Sequence, residues 1–486
     1  MNLATAIEQD RGDRPALISG NEVIGYGELA RRVAQMRGGL VGRGVTPGDR
    51  VAIVAGNTPH FVATYLAALG VGAVAVPLNP ASPRAELQRE LDVVAPGLVV
   101  VGPEGGAAVA GDPGDGDAPR LRQDVVAPDD LLGGTPADPV PRRPDDLAVL
   151  LFTSGTVGAP RPAMLTHGNL LANIEQILAS PGKPRGPDEV ALGALPLFHI
   201  FGLNAVLGVV LHVGASLVLI EQFDATATLE AIGRHGVTVA SGVPTMWTAL
   251  ADVPEVAPGS LATVRIALSG AAPLDAHVRR RVTERFGVRL DQGYGLTEAS
   301  PVVTSGVGLD APDGSIGRPL PGVDVRLVDG QGQDALVGDP GEIWVHGPNV
   351  FAGYWGDPAA TAAALGDDGW LRTGDMAVVD DAGFLYLVDR AKDVIIVSGF
   401  NVFPAEVEDV IAAHPGVTAA AVLGAPHPQT GETVRAFVVA ESGLDEAAIV
   451  AWCRQHLARY KCPSSVSFVD ELPAGPAGKV LRRSLR

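Results

Sequence analysis

At 486 residues the chain is too long for one simple core, so two or more domains are expected. A hydrophobic content of 47% excludes general disorder, and a net charge of −19 opposes binding to nucleic acid or an anionic lipid surface. Cys453 and Cys462, the only two cysteines, exclude a disulfide framework and lack metal-ligand spacing, which fits a reducing cytoplasm.

The N-terminal stretch MNLATAIEQDRGDRP meets charged residues at once and shows no apolar signal core. RVAIVAGN (50–57) reads as a strand leading into a helical stretch, and GAVAVPLNP (72–80) as the strand that follows. LVVVG (98–102), SLVLIE (216–221), VTVASGVP (237–244) and VRIALSGAAP (264–273) continue the rhythm of parallel sheets with helices on their faces. Residues 105–143, rich in Gly, Pro and Asp, read as a surface loop or connector. The longest apolar region, 191–220, is interrupted by Pro196, His199, Asn204 and His212. It reads as a buried layer lining a pocket, since a membrane span needs about 20 mostly apolar residues.

LFTSGTVGAPRPAML (151–165) places small hydroxyl residues and glycines after an apolar run. Those are the materials of a phosphate cradle, because glycine admits close backbone approach and Ser and Thr add neutral donors. The P-loop pattern is absent: Gly155 is followed five residues later by Pro160, where that pattern needs a second glycine and a lysine. Read alone, the stretch is equally a surface turn between strand and helix. Thr166 is placed to cap a helix with Leu170, Leu171, Ile174, Ile177 and Leu178 on one face, and a loop feeding that helix start gains positive potential for an anion.

From Asp389, DRAKDVIIVSGFNVFPAEVEDVIAAHPGV combines charges, a short strand, a Gly turn and a helix opened by Pro404, with Val407, Val410 and Ile411 as its buried stripe. VTAAAVLG, TVRAFVVA and the helix DEAAIVAWCRQHLARY complete a small α+β unit. The domain boundary therefore falls at Asp389 and Arg390, dividing 1–388 from 389–486.

The phosphate-loop candidate has distant companions in order: PLFHIFG (196–202), SGAAPL (269–274), QGYGLTE (292–298), RTGD (372–375), DRAKD (389–393) and PAGKVLRR (476–483). Together they resemble the adenylate-forming enzymes (acyl-CoA synthetases, adenylation domains and luciferases) over essentially the whole chain, and most of all bacterial fatty-acyl-CoA synthetases. The resemblance implies an α/β fold: a large N-terminal adenylate-forming domain of packed βα subdomains, plus a small mobile α+β C-terminal lid domain. It implies an ATP- and Mg²⁺-dependent ligase that joins a carboxylate to the α-phosphate, releases pyrophosphate, and passes the acyl group to coenzyme A with release of AMP. Two anions meet in the first step, so cations and aligned donors are needed where charge develops.

By resemblance, Thr153, Ser154, Gly155, Thr156 and Gly158 hold the β- and γ-phosphates, with Thr156 also near Mg²⁺. The family's usual Pro-Lys-Gly is here Pro160-Arg161-Pro162: Arg161 keeps the charge as a planar fork, and Pro162 removes a backbone N–H. An altered loop conformation with retained activity is expected. Gly293, Tyr294 and Gly295 are implied as one adenine wall and Gly270, Ala271, Ala272 and Pro273 as the other. Thr297 is implied at the α-phosphate, Glu298 at Mg²⁺, and Asp375 on the ribose hydroxyls; read alone, Thr-Gly-Asp is a turn. Lys479 is implied as the adenylation lysine bridging carboxylate and α-phosphate. Rotation about Asp389 is implied to exchange two faces of the small domain, bringing Arg390 to ribose or phosphate and Ser398 and Gly399 to the pantetheine tunnel.

His199 lies among apolar residues, a setting that suits a core histidine; the resemblance assigns it to positioning the acyl carboxylate, beside Phe201, Gly202, Val243 and Gly270. An amino-acid adenylation domain would place an acid near PLFHIFG, and none lies between Val190 and Ile220. A dicarboxylate enzyme would add an arginine near GVPTMW, and none lies between Gly236 and Val264. The substrate expected is therefore an uncharged acid: a medium- or long-chain fatty acid, or alternatively an aryl acid. An acyl carrier protein is the alternative acceptor, and a nucleotide-binding regulator with a dead site is the reading from another class. No nucleic-acid partner and no transmembrane segment are expected; monomer and homodimer are both open.

Overall fold

Short runs of Val, Ile, Leu and Ala become strands buried along their whole length, the pattern of sheets covered on both faces. The computed structural model describes all residues except 1, 9–10, 83, 107–123, 154–160, 183–185, 257–258, 391–394, 398–399, 403, 428–429, 442, 458, 474–479 and 486. Contacts group the chain into two units, Met1–Asp324 with Val345–Leu371, and Val325–Trp344 with Arg372–Arg486.

The larger unit carries two sheets. The first runs β6-β5-β3-β4-β7-β8, from β3 (Arg50–Val54), β4 (Val74–Leu78), β5 (Leu98–Val101), β6 (Val125–Val126), β7 (Leu147–Thr153) and β8 (Arg161–Thr166). The second runs β15-β14-β13-β12-β11-β9-β10-β1-β2. Its strands are β1 (Pro15–Ser19), β2 (Glu22–Gly25), β9 (Val190–Gly193), β10 (Ser216–Leu219), β11 (Val239–Gly242), β12 (Ile266–Ser269), β13 (Leu290–Gly295), β14 (Val302–Ser305) and β15 (Arg318–Pro319). Neighbours from β13 through β12, β11, β9 and β10 to β1 are parallel, so the chain returns through helices, such as Ala225–His235 and Ala276–Phe286. This is the α/β architecture expected from the sequence.

The smaller unit holds most of a four-stranded sheet, β16 (Asp324–Val328), β17 (Gly341–His346), β18 (Leu371–Val379) and β19 (Leu385–Arg390) in that order. It also holds a five-stranded sheet of β20 (Ile395–Val397), β21 (Phe400–Val402), β22 (Val417–His427), β23 (Gly431–Ala440) and β24 (Ser465–Phe468). The helices Pro404–Ala412 and Glu446–His456 pack on the latter, burying Val407, Ile411, Ile449 and Cys453.

Two expectations are corrected, and the domain edge needs comment. The phosphate-loop candidate does not feed a helix. β7 and β8 are antiparallel with Thr153 opposite Arg161, so 154–160 connects a hairpin, and the six residues of β8 separate it from the helix His167–Ala179. A helix dipole fades within its first turn, so it adds nothing at the loop. Thr166 does cap that helix, its hydroxyl accepting from Asn169 N while Asn169 returns the bond. Second, the described part of 105–143 is not all surface connector. β6 extends a sheet, and Leu131 is fully buried against the helix Tyr26–Gly42, where a Cβ on Gly39 would stand 2.3 Å from the Leu131 carbonyl oxygen. As for the domain edge, Asp389 and Arg390 close β19, Arg390 opposite Asp375. The smaller compact unit thus gathers 325–344 and 372–388 as well as the C-terminal residues.

Candidate active site

The strand order explains why four distant motifs can form one site. β13, β12, β11 and β9 are parallel neighbours, and their carboxyl ends lead into 296–298, 270–273, 243–245 and 194–202. Ligands of open α/β sheets bind outside such carboxyl ends. Gly270 is packed against Phe201: a Cβ there would lie 2.9 Å from the Phe201 ring, so glycine lets that ring close on the β12 turn. Ala271 holds φ +67°, a left-handed conformation costing about 1–2 kcal/mol for a residue with a Cβ. Gly295 is required by its own chain, since a Cβ would meet the Pro301 carbonyl oxygen at 2.2 Å.

Thr297 and Glu298 stand on a three-residue 3₁₀ turn that could not hold itself. A clamp of buried amides does so. Asn204 Nδ2 donates to the carbonyls of Ser300 (2.7 Å) and Leu170 (3.0 Å), and Asn349 Nδ2 donates to Ala299 O (2.9 Å). Ser300 Oγ donates to Asn349 O, Gln176 Nε2 to Asn349 Oδ1, and Asn173 exchanges two bonds with Val302. From the other side Phe351 N donates to Glu298 O, and the Tyr354 hydroxyl donates to Glu298 Oε1 at 2.6 Å. Burial, then the Glu298 charge, raises the Tyr354 pKa above its ordinary 10, so the phenol remains a donor. The sequence reading missed every one of these supports.

His199 corrects the core alternative. It is exposed, yet surrounded closely enough that desolvation lowers its pKa below 6.5. Large accessible area together with desolvation describes a residue lining a concavity. Nδ1 accepts from Phe201 N at 3.3 Å, so the neutral ring carries its proton on Nε2. Phe201–Gly208 then forms a π-helical stretch, a geometry frequent at functional sites, and continues into Val209–Val213. Beneath it, a small cavity of about 30 Å³ is lined by Leu192, Val206, Val209, Val210 and Val239, with Glu189 and Ser241 as polar members. Glu189 immediately precedes the acid-free stretch 190–220 and Arg265 immediately follows the arginine-free stretch 236–264; the structure pairs the two, with Thr238 Oγ1 also donating to Glu189.

Arg161, half-buried at the start of β8, bonds Asp357 through Nε at 2.9 Å. Asp357 also caps the helix Pro358–Ala364, its other oxygen accepting from Ala360 N at 2.8 Å. Thr153 closes β7, its hydroxyl donating to Arg161 O. Asp375, buried on β18, belongs to the smaller unit, where Thr373 Oγ1 accepts from its N–H. Ser154, Gly155, Thr156, Gly158, Ser398, Gly399 and Lys479 lie outside the described residues, as does the side chain of Arg390. Among the described residues no three His, Cys, Asp or Glu gather into a metal cage. A single half-buried carboxylate, Glu298, fits Mg²⁺, which is held by one or two carboxylates while substrate phosphates supply the rest.

Comparison with known proteins decides the class. The model of the AMP-binding enzyme family matches residues 3–355, and that of the AMP-binding enzyme C-terminal domain matches 406–479. The chain belongs to the AMP-binding, adenylate-forming enzyme family. It is 41% identical over 475 residues to a feruloyl-CoA synthase of an Amycolatopsis species, covering 97% of this chain and 95% of the relative. It is 36% identical over 518 residues to a long-chain-fatty-acid–CoA ligase of Yersinia pestis, covering 98% and 91%. In structure it is similar to ATP-bound MatB from Rhodopseudomonas palustris, with a TM-score of 0.91, 35% identity, and coverage of 100% of this chain and 98% of that one. The chain is an ATP-dependent acid–CoA ligase using ATP, Mg²⁺ and coenzyme A, with a small-molecule acid as the second substrate. No helix among the described residues is long and apolar enough to cross a membrane.

Proposed function

We propose that this ligase activates an uncharged carboxylic acid with an apolar tail, a medium- or long-chain fatty acid first. One observation carries the reading: among the described residues the only acid lining the small cavity beneath the Phe201–Val213 stretch, Glu189, is neutralised by Arg265. Neither a substrate ammonium nor a second carboxylate finds an uncompensated partner there, and burying either unpaired costs several kcal/mol. Likeness to a long-chain-fatty-acid–CoA ligase supports a long tail. Likeness to a feruloyl-CoA synthase supports an aryl acid as the second reading.

In this reading the neutral His199 donates Nε2–H to the acid's carboxylate and holds it between Phe201, Gly202, Val243 and Gly270. Thr153, Ser154, Gly155, Thr156, Gly158 and Arg161 take the β- and γ-phosphates. Tyr294 and residues 270–273 flank adenine, Asp375 accepts from the ribose, and Thr297 contacts the α-phosphate. Glu298, with Thr156, holds Mg²⁺, whose charge offsets that of the phosphates. Lys479 stabilises charge that grows as the carboxylate meets the α-phosphate, an interaction strongest in the transition state. The module 389–486 then turns as a lid, with Arg390, Ser398 and Gly399 serving the nucleotide and the pantetheine arm.

The test supplies ATP, Mg²⁺ and coenzyme A with dodecanoate, palmitate, ferulate, malonate or alanine, and follows pyrophosphate release and thioester mass. Fatty thioesters at the highest kcat/KM are expected, with Lys479→Ala abolishing pyrophosphate release. Ferulate as the best substrate moves the assignment to the aryl reading, and pyrophosphate without thioester moves the acceptor to a carrier protein. Malonate or alanine as the best substrate overturns it.

A further inference from the structure

Glu298 has three side-chain torsions and sits on a single turn, so a cation held by it needs its carboxylate fixed by something else. The segment 351–357 is built to do this. Ala352 N donates to Met164 O, Met164 N to Gly353 O, and Trp355 N to Pro162 O, which lays the segment antiparallel against β8 with Tyr354 opposite Ala163. Tyr354 N donates to Thr361 Oγ1, and its ring meets Phe351 edge-on with centroids 4.9 Å apart. The segment's far end is pinned by Asp357, which caps the helix Pro358–Ala364 and pairs with Arg161. Backbone, ring and far end are thus all tied before the hydroxyl reaches Glu298 Oε1 at 2.6 Å.

We propose that Tyr354 is the positioning residue that orients Glu298 toward the cation, and that the Arg161–Asp357 pair locks the Tyr354 segment to the strand leaving the phosphate loop. The proposal rests on the reading of Glu298 as the cation ligand. A short hydrogen bond from a half-buried neutral donor to a carboxylate fixes the rotation of the carboxylate plane. It also explains why arginine can replace the family's usual lysine at 161. The guanidinium bonds Asp357 through Nε and still has other N–H groups at its tip for phosphate, whereas an ammonium concentrates its donors at one point.

Tyr354→Phe keeps the ring packing and removes only the hydroxyl. Mn²⁺ is the probe, titrated by electron paramagnetic resonance with the full-length protein and α,β-methylene-ATP, so that binding is read without turnover. The expected result is affinity weakened about tenfold, the share of one charge-assisted hydrogen bond. The Mg²⁺ concentration for half-maximal pyrophosphate release should rise in parallel, with KM for the acid unchanged. Asp357→Asn retains the helix cap and breaks the ion pair, so a smaller shift in the same direction is expected. Wild-type Mn²⁺ affinity in Tyr354→Phe, alongside its loss in Glu298→Gln, overturns the positioning role alone. Wild-type affinity in Glu298→Gln overturns the reading of the cation site beneath it.

Discussion

Acidification should strip stability from the larger unit through a residue that no catalytic motif contains. His167 opens the helix His167–Ala179 and is 1% exposed. Burial, then the charge of Arg142, lowers its pKa from 6.5 to about 4. The geometry agrees. Nδ1 accepts from Leu3 N at 3.3 Å, so a second proton would place two N–H groups face to face, and Nε2 has no partner among the described residues. A helix N-terminus disfavours a cation as well. Between about pH 6.5 and pH 4 the unfolded chain binds this proton and the folded chain does not, so stability rises with pH across that window and is lost on descending through it. The gap of roughly 2.5 pH units at about 1.4 kcal/mol each gives about 3 kcal/mol. Carboxylates titrate over the same range, so the assay is a difference. Urea unfolding at stepped pH compares the wild type with His167→Gln, which can still accept from Leu3 N. The wild type should lose about 3 kcal/mol more than the variant between pH 6.5 and 4, with no further difference below. Parallel profiles, or a His167 titration near 6.5 by NMR, would refute the reasoning.

Asn204→Leu strands the buried carbonyls of Leu170 and Ser300 and should cost about 2–5 kcal/mol; because Ser300 follows the Glu298 turn, kcat should fall with little change in KM for the acid. An equal loss in Asn204→Leu and in a distant, equally destabilised variant would show that the clamp serves stability alone. Gly270→Ala should displace the Phe201 ring at a cost of about 1–3 kcal/mol and raise KM for bulky acids more than for small ones; unchanged selectivity across acid size would remove Gly270 from the acid wall. His199 stays neutral below its ordinary 6.5, so KM for the acid should show no inflection near that pH. An inflection there that His199→Asn abolishes would contradict the desolvated setting.

The sheets were legible because their strands are short apolar runs with helical stretches between them, and the glycine motifs because they close those strands. The hairpin of β7 and β8 was not, since Gly, Ser and Pro mark a strand-to-helix turn and a strand-to-strand turn alike. Pro162 also argues against a strand. It is tolerated because β8 is the last strand of its sheet and its outer side is met only by the short segment 352–355, which Pro162 joins through its carbonyl, accepting from Trp355 N. Tyr354, Asn204 and Asn349 could not be found by spacing. Their partners come from elements far apart in the chain, and only the packing of helix, turn and segment 351–357 sets an amide or phenol beside the Glu298 turn. His199 was misjudged in its core alternative for a related reason: apolar neighbours in sequence look the same whether they bury a residue or line an opening.

The placement of charge along the nine-stranded sheet shows how sheet polarity sorts polar groups by task. Glu189, Thr238 and Arg265 each stand immediately before one of three adjacent parallel strands, β9, β11 and β12, and so gather at one edge of the sheet. There Glu189 accepts from Thr238 and pairs with Arg265, a set that satisfies itself and needs no ligand. His199, Gly270 and Tyr294 follow or end strands of the same sheet and gather at the opposite, carboxyl edge. A carboxylate seated by His199 is therefore separated from the Glu189 pair by the length of a strand, roughly 13 Å for four residues. A tail that opened the small cavity beneath the Phe201–Val213 stretch would arrive at a carboxylate already paired. In the proposed reading a second charge on the substrate would be buried there without a partner, so selection against charged tails is expected from where the strands begin and end.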